Sequence, residues 1–570
     1  MLYLVLRDES EQDTRAVMRT QSLYCSIDRR SPTSDTATRA ASAWGPLARP
    51  VFRALWIAAL ASNIGTLMQG VAAAWLMTSL TTSPVPVALL TTMANLPLFL
   101  VGLPAGALAD VVDRRWLVLA TQVWMLAVAA LLGGLAAIGW VTPGILLALT
   151  FFLSLGGALS APAWLAIVPE LVPRGELATA VALNSAGFNL ARAVGPAIGG
   201  LIVAAAGPGA VFLLNAASFL GIIVVIYRWQ SVRRERSALP ERVGSAVAAG
   251  IRFARYAPPL RAVLVRTAAF IFAASALWAL LPVVATRQLG LGASGYGVLL
   301  ASIGLGAVGG AAILPRLRTR LSVDQLMVIF TLVFAVGLFV LAVLRNLLAI
   351  NVALLGVGVA WLTINSFLNV SAQTSAPTWV QARVLGVYLL VSQGSLAGGS
   401  ALWGLVADHF GERSALLTAA GVLVVGVAAV RRWPLRTGKE LDLRPAQHWP
   451  DPELAIEPAA GDGPVLVTIE YRVAAPQQVA FCQAMLAIEI SRRRDGASRW
   501  GLFRDAADSE RFLETFVVAS WAEHLRQHER VTVADQAVEQ RALGLLQPGT
   551  TPIVTHFIAA QDTHERTVGP

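Results

Sequence analysis

The feature that most constrains this chain is a series of apolar runs, each long enough to cross a membrane. They begin near Phe52 and follow one another to about residue 430. A helix needs about 20 residues to cross roughly 30 Å of hydrocarbon. The runs lack the alternation of barrel strands, so their backbone is satisfied in lipid only as helices. The predicted spans are 53–78, 84–109, 116–139, 144–169, 177–204, 210–227, 261–286, 293–315, 322–344, 347–372, 383–408 and 413–430.

Composition supports a membrane protein and excludes other classes. Only 14% of the residues are charged, whereas a soluble domain carries about a quarter. The net charge of +10 does not indicate nucleic acid, because the arginines are not interleaved with aromatic residues in basic stripes. Cys25 and Cys482 form neither a disulfide framework nor a metal site. We expect membrane lipid as a partner, and no nucleic acid, metal or cofactor.

Arginines mark alternate connections between the spans and therefore give an orientation. The connections between them, such as Thr81–Pro86 and Gly139–Gly144, carry almost no charge. Positive residues stay on the cytoplasmic side, so we expect both termini in the cytoplasm and the chain in the cell membrane. The connections on the charged side include Arg114, Arg174, Arg233, Arg316 and Arg383.

Changes of composition divide the chain into units. Beyond the membrane part, a stretch rich in proline and charge precedes alternating strand and helix patterns. Their order, β-α-β-β-α-β, is that of a ferredoxin-like α+β domain. Ser520 and Glu523 have the spacing of a capping box, so each is expected to bond a backbone amide of the other. The predicted units are a disordered segment over 1–49, a six-helix bundle over 50–230, a cytoplasmic central loop over 231–260, a second six-helix bundle over 261–432, a linker over 433–463, the α+β domain over 464–562 and a tail over 563–570.

The end of the second span carries a motif of glycine and charge that is typical of a gate. Its glycines are four residues apart and face one way, which lets another helix approach closely. The aspartate that follows can accept from amides at a neighbouring helix start, and it can pair with the arginines. A contact made in one conformation and broken in the other serves alternating access. The motif residues are Gly102, Gly106, Asp110, Asp113, Arg114 and Arg115.

The fifth span contains an arginine followed by a glycine-proline break. An arginine at mid-membrane costs about 2.5–3.5 kcal/mol unless it is paired or hydrated, and such a charge is functional by default. The alternative is a structural kink whose arginine reaches the interface or binds carbonyls. The following glycines allow close packing with a neighbour. The motif residues are Asn189, Arg192, Gly195, Pro196, Gly199 and Gly200.

These motifs resemble those of the major facilitator superfamily. The stretch after span two resembles its Gly-x-x-x-Asp…Arg-Arg signature, with Asp113 where a glycine is common, and span five resembles the antiporter motif, with Ala191 replacing its first glycine. The stretch from Pro162 to Asn189 resembles the transmembrane secretion effector branch, which includes enterobactin-exporter-like proteins. The resemblance implies two six-helix halves that export a small organic molecule by proton antiport. No phosphate-binding GxxxxGK[ST] loop is present, which argues against ATP-driven transport.

Polar residues inside the spans are candidates for lining a central cavity. Amides combined with tryptophans suit a bulky, amphipathic, largely uncharged ligand such as a siderophore, an antibiotic or a drug-like molecule. For each residue the alternative is a hydrogen bond between helices. The candidates are Asn63, Gln69, Asn95, Asn184, Asn365, Asn369 and Gln393.

The C-terminal domain resembles an antibiotic-biosynthesis-monooxygenase-like dimeric α+β barrel, on Arg492–Gly496, Ser498–Gly501 and Ser520–Arg530. The resemblance implies a homodimer through this domain. His524 and His528 share a helix face, but no third metal ligand is evident. We therefore interpret them as core or interface histidines and predict no catalytic residues.

Three functional hypotheses follow from the sequence. The leading one is a major facilitator exporter that is not an enzyme. The second is a membrane-anchored monooxygenase-like enzyme whose bundle serves only as an anchor. The third is a transporter whose C-terminal domain senses cargo.

Overall fold

The computed structural model describes residues 44–229, 243–377, 379–428 and 458–560, with short pieces of 432–449. Most of the predicted disordered segment, part of the central loop including Arg233, much of the linker and the last ten residues lie outside the described residues. The statements below concern the described ones.

Most of the described chain is helical. Twelve helices form the described bundle. The helices are α1 (Pro50–Leu80), α2 (Pro84–Val111), α3 (Arg114–Ala137), α4 (Pro143–Leu171), α5 (Leu177–Arg228), α6 (Val243–Tyr256), α7 (Pro258–Val283), α8 (Ala293–Leu317), α9 (Val323–Val343), α10 (Leu347–Thr374), α11 (Gln381–Phe410) and α12 (Glu412–Gly426). All of them except α6 and α12 are long and apolar enough to cross a membrane, and these ten lie at predicted spans.

Helix α5 covers the two predicted spans 177–204 and 210–227, and it consists of two helical segments joined at a kink. It is broken at Gly207, whose φ of 79° is left-handed and suits glycine. Gly195 and Asn215, which flank this break, both lie against the Ile64–Gly65 turn of α1. The chain therefore doubles back near Gly207, between the two helical segments of α5.

Two other predicted segments differ in detail. The final predicted span, 413–430, contains helix Glu412–Gly426, and residues 429 and 430 lie outside the described ones. Within the predicted central loop, Val243–Tyr256 forms helix α6. Its buried Phe253 and Ala254 pack with Val380 and Val384 near the start of α11. Tertiary packing therefore stabilises a helix in a segment whose high charge had suggested a loop.

The C-terminal domain contains β1 (Val465–Arg472), α13 (Gln478–Asp495), β2 (Arg499–Arg504), β3 (Arg511–Val518), α14 (Trp521–Arg530), α15 (Val533–Leu543) and β4 (Ile553–Ile558). The strands form one sheet in the order β2-β3-β1-β4, and all neighbours are antiparallel. Val465, Val467 and Ile469 alternate into the core with Phe481 of α13. One face of the sheet is therefore covered by helices.

The predicted capping box of α14 forms only in half. The Ser520 side chain accepts from the Glu523 amide. The Glu523 carboxylate does not reach back, because it pairs with Arg530 and Arg252 instead. Stronger charge-assisted partners outcompete the backbone amide.

Helices α8 and α10 pack so closely that glycine is required at their crossing. A Cβ on Gly306 would lie 2.0 Å from the Leu355 carbonyl oxygen, whereas a Cβ on Gly309, in the same helix, would meet nothing within 4 Å. We expect Gly306→Ala to force the helices apart at a cost of about 1–3 kcal/mol.

The apparent melting temperature of the detergent-purified protein tests this expectation. Gly309→Ala is the matched control, and it should leave the melting temperature unchanged or raise it through alanine's helix propensity. Equal melting temperatures for the two variants would contradict the packing described here.

Candidate transport site and gates

The site lies between two groups of helices, the N-half (α1–α5) and the C-half (α7–α12). Two of the predicted cavity residues meet across this boundary, where Gln393 Nε2 of α11 donates to Asn95 Oδ1 of α2 at 2.9 Å. One turn further along, the Thr92 hydroxyl donates to the Ala397 carbonyl oxygen at 2.9 Å. The structure therefore brings Asn95 and Gln393 together as a contact between the halves.

The glycines of the span-five motif hold α5 against two neighbours. A Cβ on Gly199 would lie 2.8 Å from the Met68 Cα of α1. On another side of α5, a Cβ on Gly200 would lie 2.7 Å from the Ala293 carbonyl oxygen of α8. On α8, a Cβ on Gly297 would approach the Pro196 carbonyl oxygen to 2.8 Å. The motif thus permits backbone contact both within the N-half and between the halves.

One end of the bundle is closed by polar contacts between the halves. We call it the Ser83 end, where the Ser83 hydroxyl donates to Asp408 Oδ1 at 2.7 Å. Nearby, Arg287 donates to the Thr81 carbonyl oxygen at 3.5 Å and to Glu412 at 3.4 Å. In the described chain, hydrogen bonds and ion pairs between the halves lie only from mid-bundle to this end. The sequence did not single out Ser83 or Arg287, since each becomes informative only when its partner is known.

The arginine-rich end carries the predicted gate motif, and its contacts stay inside the N-half. Asp113 caps α3 by accepting from the Arg115 amide at 2.9 Å. Arg114 pairs with Glu170 at 3.0 Å, and Arg115 donates to the Ile226 carbonyl oxygen at 3.1 Å. Asp110 lies in the last turn of α2, and its side chain is outside the described residues. Its pairing with the arginines stays a prediction.

Among the described residues, no other helix lies against the two glycines of the gate motif. A Cβ on Gly102 would meet only Leu98 of its own helix, and a Cβ on Gly106 would meet nothing within 4 Å. At the closed end the opposite holds, since a Cβ on Gly404 of α11 would lie 2.5 Å from the Ala88 Cβ of α2. The close approach expected at Gly102 and Gly106 is therefore not seen among the described residues.

The remaining cavity candidates have mixed positions. Gln69 is buried and accepts a hydrogen bond from Asn215 inside the N-half. It therefore makes a hydrogen bond within one half, which was the alternative to lining the cavity. Asn365 donates to the Trp361 carbonyl oxygen of its own helix at 2.9 Å, and Asn369 accepts from Gln373 one turn on. Asn63, Asn184 and Asn189 are half-buried.

Arg192 lies near the middle of the first part of α5. Its guanidinium lies over the Phe188 ring, with the guanidinium carbon 5.0 Å from the ring centroid. In the described chain no carboxylate forms an ion pair with it, whereas Arg266, the other buried arginine of the bundle, pairs with Asp324.

The C-terminal domain packs against the C-half. Arg252 of α6 donates to the Arg494 carbonyl oxygen at the end of α13 at 3.3 Å, and to Glu523 at 3.2 Å. Arg530 stacks over the Trp379 ring at 4.5 Å, in the connection between α10 and α11. The domain therefore contacts both α6 and, directly through Arg530, the α10–α11 connection.

Three histidines meet in the C-terminal domain, of which the sequence had indicated two. His524 and His528 have their Nε2 atoms 3.4 Å apart. His556 of β4 adds a ring 4.7 Å from that of His524, because strand pairing brings β4 beside β1. Burial, and then the neighbouring histidines, lower the pKa of His524 to about 3. Among the described residues, no group of three or more histidine, cysteine or acidic side chains is arranged to hold a metal.

Comparison with known proteins identifies the family. The sequence profile described as "Transmembrane secretion effector" matches residues 41–564, which is nearly the whole chain. The chain belongs to the transmembrane secretion effector family. The match extends through the C-terminal domain of this family member as well as its helical bundle.

Curated relatives of this secretion effector protein include transporters. The multidrug efflux pump Tap of Mycolicibacterium fortuitum is 31% identical over 70% of this chain and 98% of its own length. The enterobactin exporter EntS of Shigella boydii is 30% identical over 66% of this chain and 90% of its own length.

Solved structures with the same bundle fold are also transporters. An inward-facing bacterial homologue of the lysosomal transporter Spinster has a TM-score of 0.54 and 14% identity, covering 67% of this chain and 97% of its own. A POT family transporter in complex with 5-aminolevulinic acid has a TM-score of 0.57 and 13% identity, covering 67% and 95%. At such identity the likeness concerns the fold alone.

The Ser83–Asp408 bond is expected to hold the Ser83 end closed. Removing it with Asp408→Ala should cost this conformation about 0.5–1.5 kcal/mol, which is a roughly two- to tenfold change in population. Ser400, fully buried on the α11 face that carries Gln393, Ala397 and Gly404, can be replaced by cysteine as a reporter. We expect its maleimide labelling in purified protein, with Cys25 and Cys482 changed to serine, to accelerate by that factor.

Ser79→Ala is the matched control for this measurement, because the Ser79 hydroxyl donates to Leu76 of its own helix. It should leave the labelling rate unchanged. A labelling rate for Asp408→Ala equal to that of the control would contradict a closing function of the Ser83–Asp408 bond.

The lowered pKa of His524 predicts a pH-dependent stability of the C-terminal domain. The folded state binds fewer protons than the unfolded state below the ordinary pKa of 6.5. Stability is therefore complete above pH 6.5 and falls, as pH drops towards 3, by up to about 1.4 kcal/mol per unit. Hydrogen exchange of the β1 and β3 amides in the full chain, corrected for intrinsic rates, should show this fall between pH 7.5 and 5.5.

His524→Gln should flatten the pH dependence, although His556, whose pKa is lowered by burial, contributes in the same direction. His409→Gln, an exposed histidine of α11, is the control and should leave the slope intact. An unchanged slope in His524→Gln would exclude this histidine as its source.

Proposed function

We propose that this protein exports a small organic molecule across the cell membrane by alternating access. The observation that carries the proposal is the asymmetry between the two ends of the bundle. The halves are bonded from Asn95–Gln393 to Ser83–Asp408, while no other helix of the described chain lies against Gly102 and Gly106 at the other end. A rocking movement would exchange these contacts, and relatives named as an efflux pump and an exporter support this direction of transport.

We propose twelve membrane-spanning segments in two six-helix halves. The break at Gly207 would divide α5 into two spans, and α12 would be the last span. The arginine-rich connections would face the cytoplasm together with both termini. In that orientation the structure corresponds to an inward-facing state.

In the outward-facing state, Gly102 and Gly106 would admit a C-half helix, and Asp110 with Arg114 and Arg115 would close the cytoplasmic gate. The α5 motif would act as the pivot, since its contacts with α8 are backbone to backbone. Proton coupling is carried over from the antiporter resemblance.

For the C-terminal domain we propose a ferredoxin-like fold and a regulatory or structural function, with no catalysis. The strand order β4-β1-β3-β2 and the antiparallel pairing support the fold. The face away from the helices carries exposed Phe503, Ile553 and Phe557. Such a face is usually covered in proteins, and we propose a second copy of this domain as its cover.

Accumulation measurements test the exporter. Cells that overproduce the protein should retain several-fold less of a transported antibiotic or catecholate than cells lacking it, and the compound should leave chemically unchanged. Arg192→Ala should weaken efflux at unchanged membrane abundance, because it removes the one unpaired charge within the described bundle interior. Equal retention with and without the protein would contradict export, whereas a compound released with altered mass would favour the membrane-anchored enzyme.

A further inference from the structure

We propose that Arg192 is a binding site for an anionic group, and that the exported molecule is therefore an amphipathic organic anion with an aromatic or other flat apolar body. This inference rests on the proposed function and adds a substrate class to it. It departs from the largely uncharged ligand that the amides and tryptophans suggest in the sequence.

The direction in which Arg192 points follows from the packing of α5. One side, with Gly187, Ala191 and Gly195 at i, i+4 and i+8, lies against α1, as Gly187 faces Trp56 and Gly195 faces Leu67. Another side, with Ala193 and Gly200 at i and i+7, lies against α8. Two sides of the helix remain.

The two remaining sides differ sharply in chemistry. One presents Leu190 and Leu201, which are 48% and 62% exposed and suit acyl chains. The opposite side presents Ser185, Phe188 and Arg192 at i, i+3 and i+7, the spacing of one helix face. A charged side chain in a membrane bundle faces the interior or a water-filled cavity. Arg192 therefore faces the space between the halves.

That space is open in this structure. Ser185 is exposed and Phe188 is 42% exposed, although both lie on the interior side of α5. Arg192 lies further from the arginine-rich end than Ser185 and Phe188 do. It lies near the level at which α5 contacts Gly304 of α8. From this exposure we infer a cleft between the halves that opens at the arginine-rich end, with Arg192 at its inner end.

Among the described residues, no carboxylate forms an ion pair with this guanidinium. Its contact in the described chain is the Phe188 ring, a cation–π partner that attracts the charge and leaves the N–H donors free. The guanidinium fork matches carboxylates, sulfonates and phosphates, and such charge-assisted bonds are about twice as strong as neutral ones. An anionic substrate would supply the missing charge and release the hydrating water.

Two exposed aromatic rings on the N-half suggest the rest of the ligand. Phe188 offers an aromatic face beside the charge, and Phe99 of α2, 41% exposed, lies against Gly394 of α11 at the level of the Asn95–Gln393 bond. A ligand with one anionic group and a flat apolar body matches this combination.

Two dyes that differ only in a sulfonate test the inference. 8-Anilino-1-naphthalenesulfonate carries the anion, and N-phenyl-1-naphthylamine is the same skeleton without it. For purified protein in nanodiscs, we expect Arg192→Gln to weaken binding of the sulfonate about tenfold and to leave binding of the neutral dye within twofold. Arg192→Lys, which keeps the charge but loses the fork, should fall between. Arg345→Gln, which removes an exposed positive charge outside the cleft, is the matched control and should change neither affinity.

Export and charge selectivity are measured in separate experiments. Efflux of either dye from cells that depends on the protein tests the proposed function, while the ratio of the two affinities tests the anion site. Failure of the sulfonate to bind, or an equal loss of both dyes in Arg192→Gln, would overturn the anion site even if export is confirmed. Normal folding of the variants is established by their melting temperatures and by retained binding of the neutral dye.

Discussion

The close backbone contact of α5 with α1 and α8 is the constraint on which the rest of the bundle depends. In lipid, helices gain little from burying apolar surface against one another, so packing at short range supplies much of the association energy. Gly199 and Gly200 are neighbours in sequence, yet one admits α1 and the other admits α8. The same short segment therefore ties the N-half together and joins it to the C-half. A side chain at either position would have to displace backbone atoms, which cannot move as a flexible side chain can.

A pivot made of backbone contacts leaves the ends of the bundle to decide the conformation. At the Ser83 end the halves are joined by hydrogen bonds that are few and partly exposed, and such bonds contribute about 0.5–1.5 kcal/mol each. This is enough to favour one state and too little to prevent the other. At the arginine-rich end, the described ion pair of the gate motif, Arg114 with Glu170, lies within the N-half. This ion pair therefore does not oppose separation of the halves.

The C-terminal domain is attached to this machinery on one side only in the described chain. Its contacts run from Arg494 and Glu523 to Arg252 of α6, and α6 packs against the start of α11. Helix α11 also carries Gln393 and Asp408, which bond the N-half. The domain is thus linked through α6 to the helix that bonds the N-half towards its other end. It would move with the C-half as a body.

The sequence by itself determined the positions of the membrane helices, the strands of the C-terminal domain and the identity of the two motifs. These features are local, since they depend on the length of apolar runs, on period-two alternation and on short spacings. Only the tertiary structure decided which residues meet. It separated Gln69, bonded within one half, from Asn95, bonded between halves, and it added His556, Ser83 and Arg287 to clusters that sequence distance conceals. It also showed that Leu190 and Leu201, on the side of α5 opposite Arg192, are exposed. Contacts between residues hundreds of positions apart depend on how helices cross, and the amino-acid pattern of a single helix does not specify its neighbours.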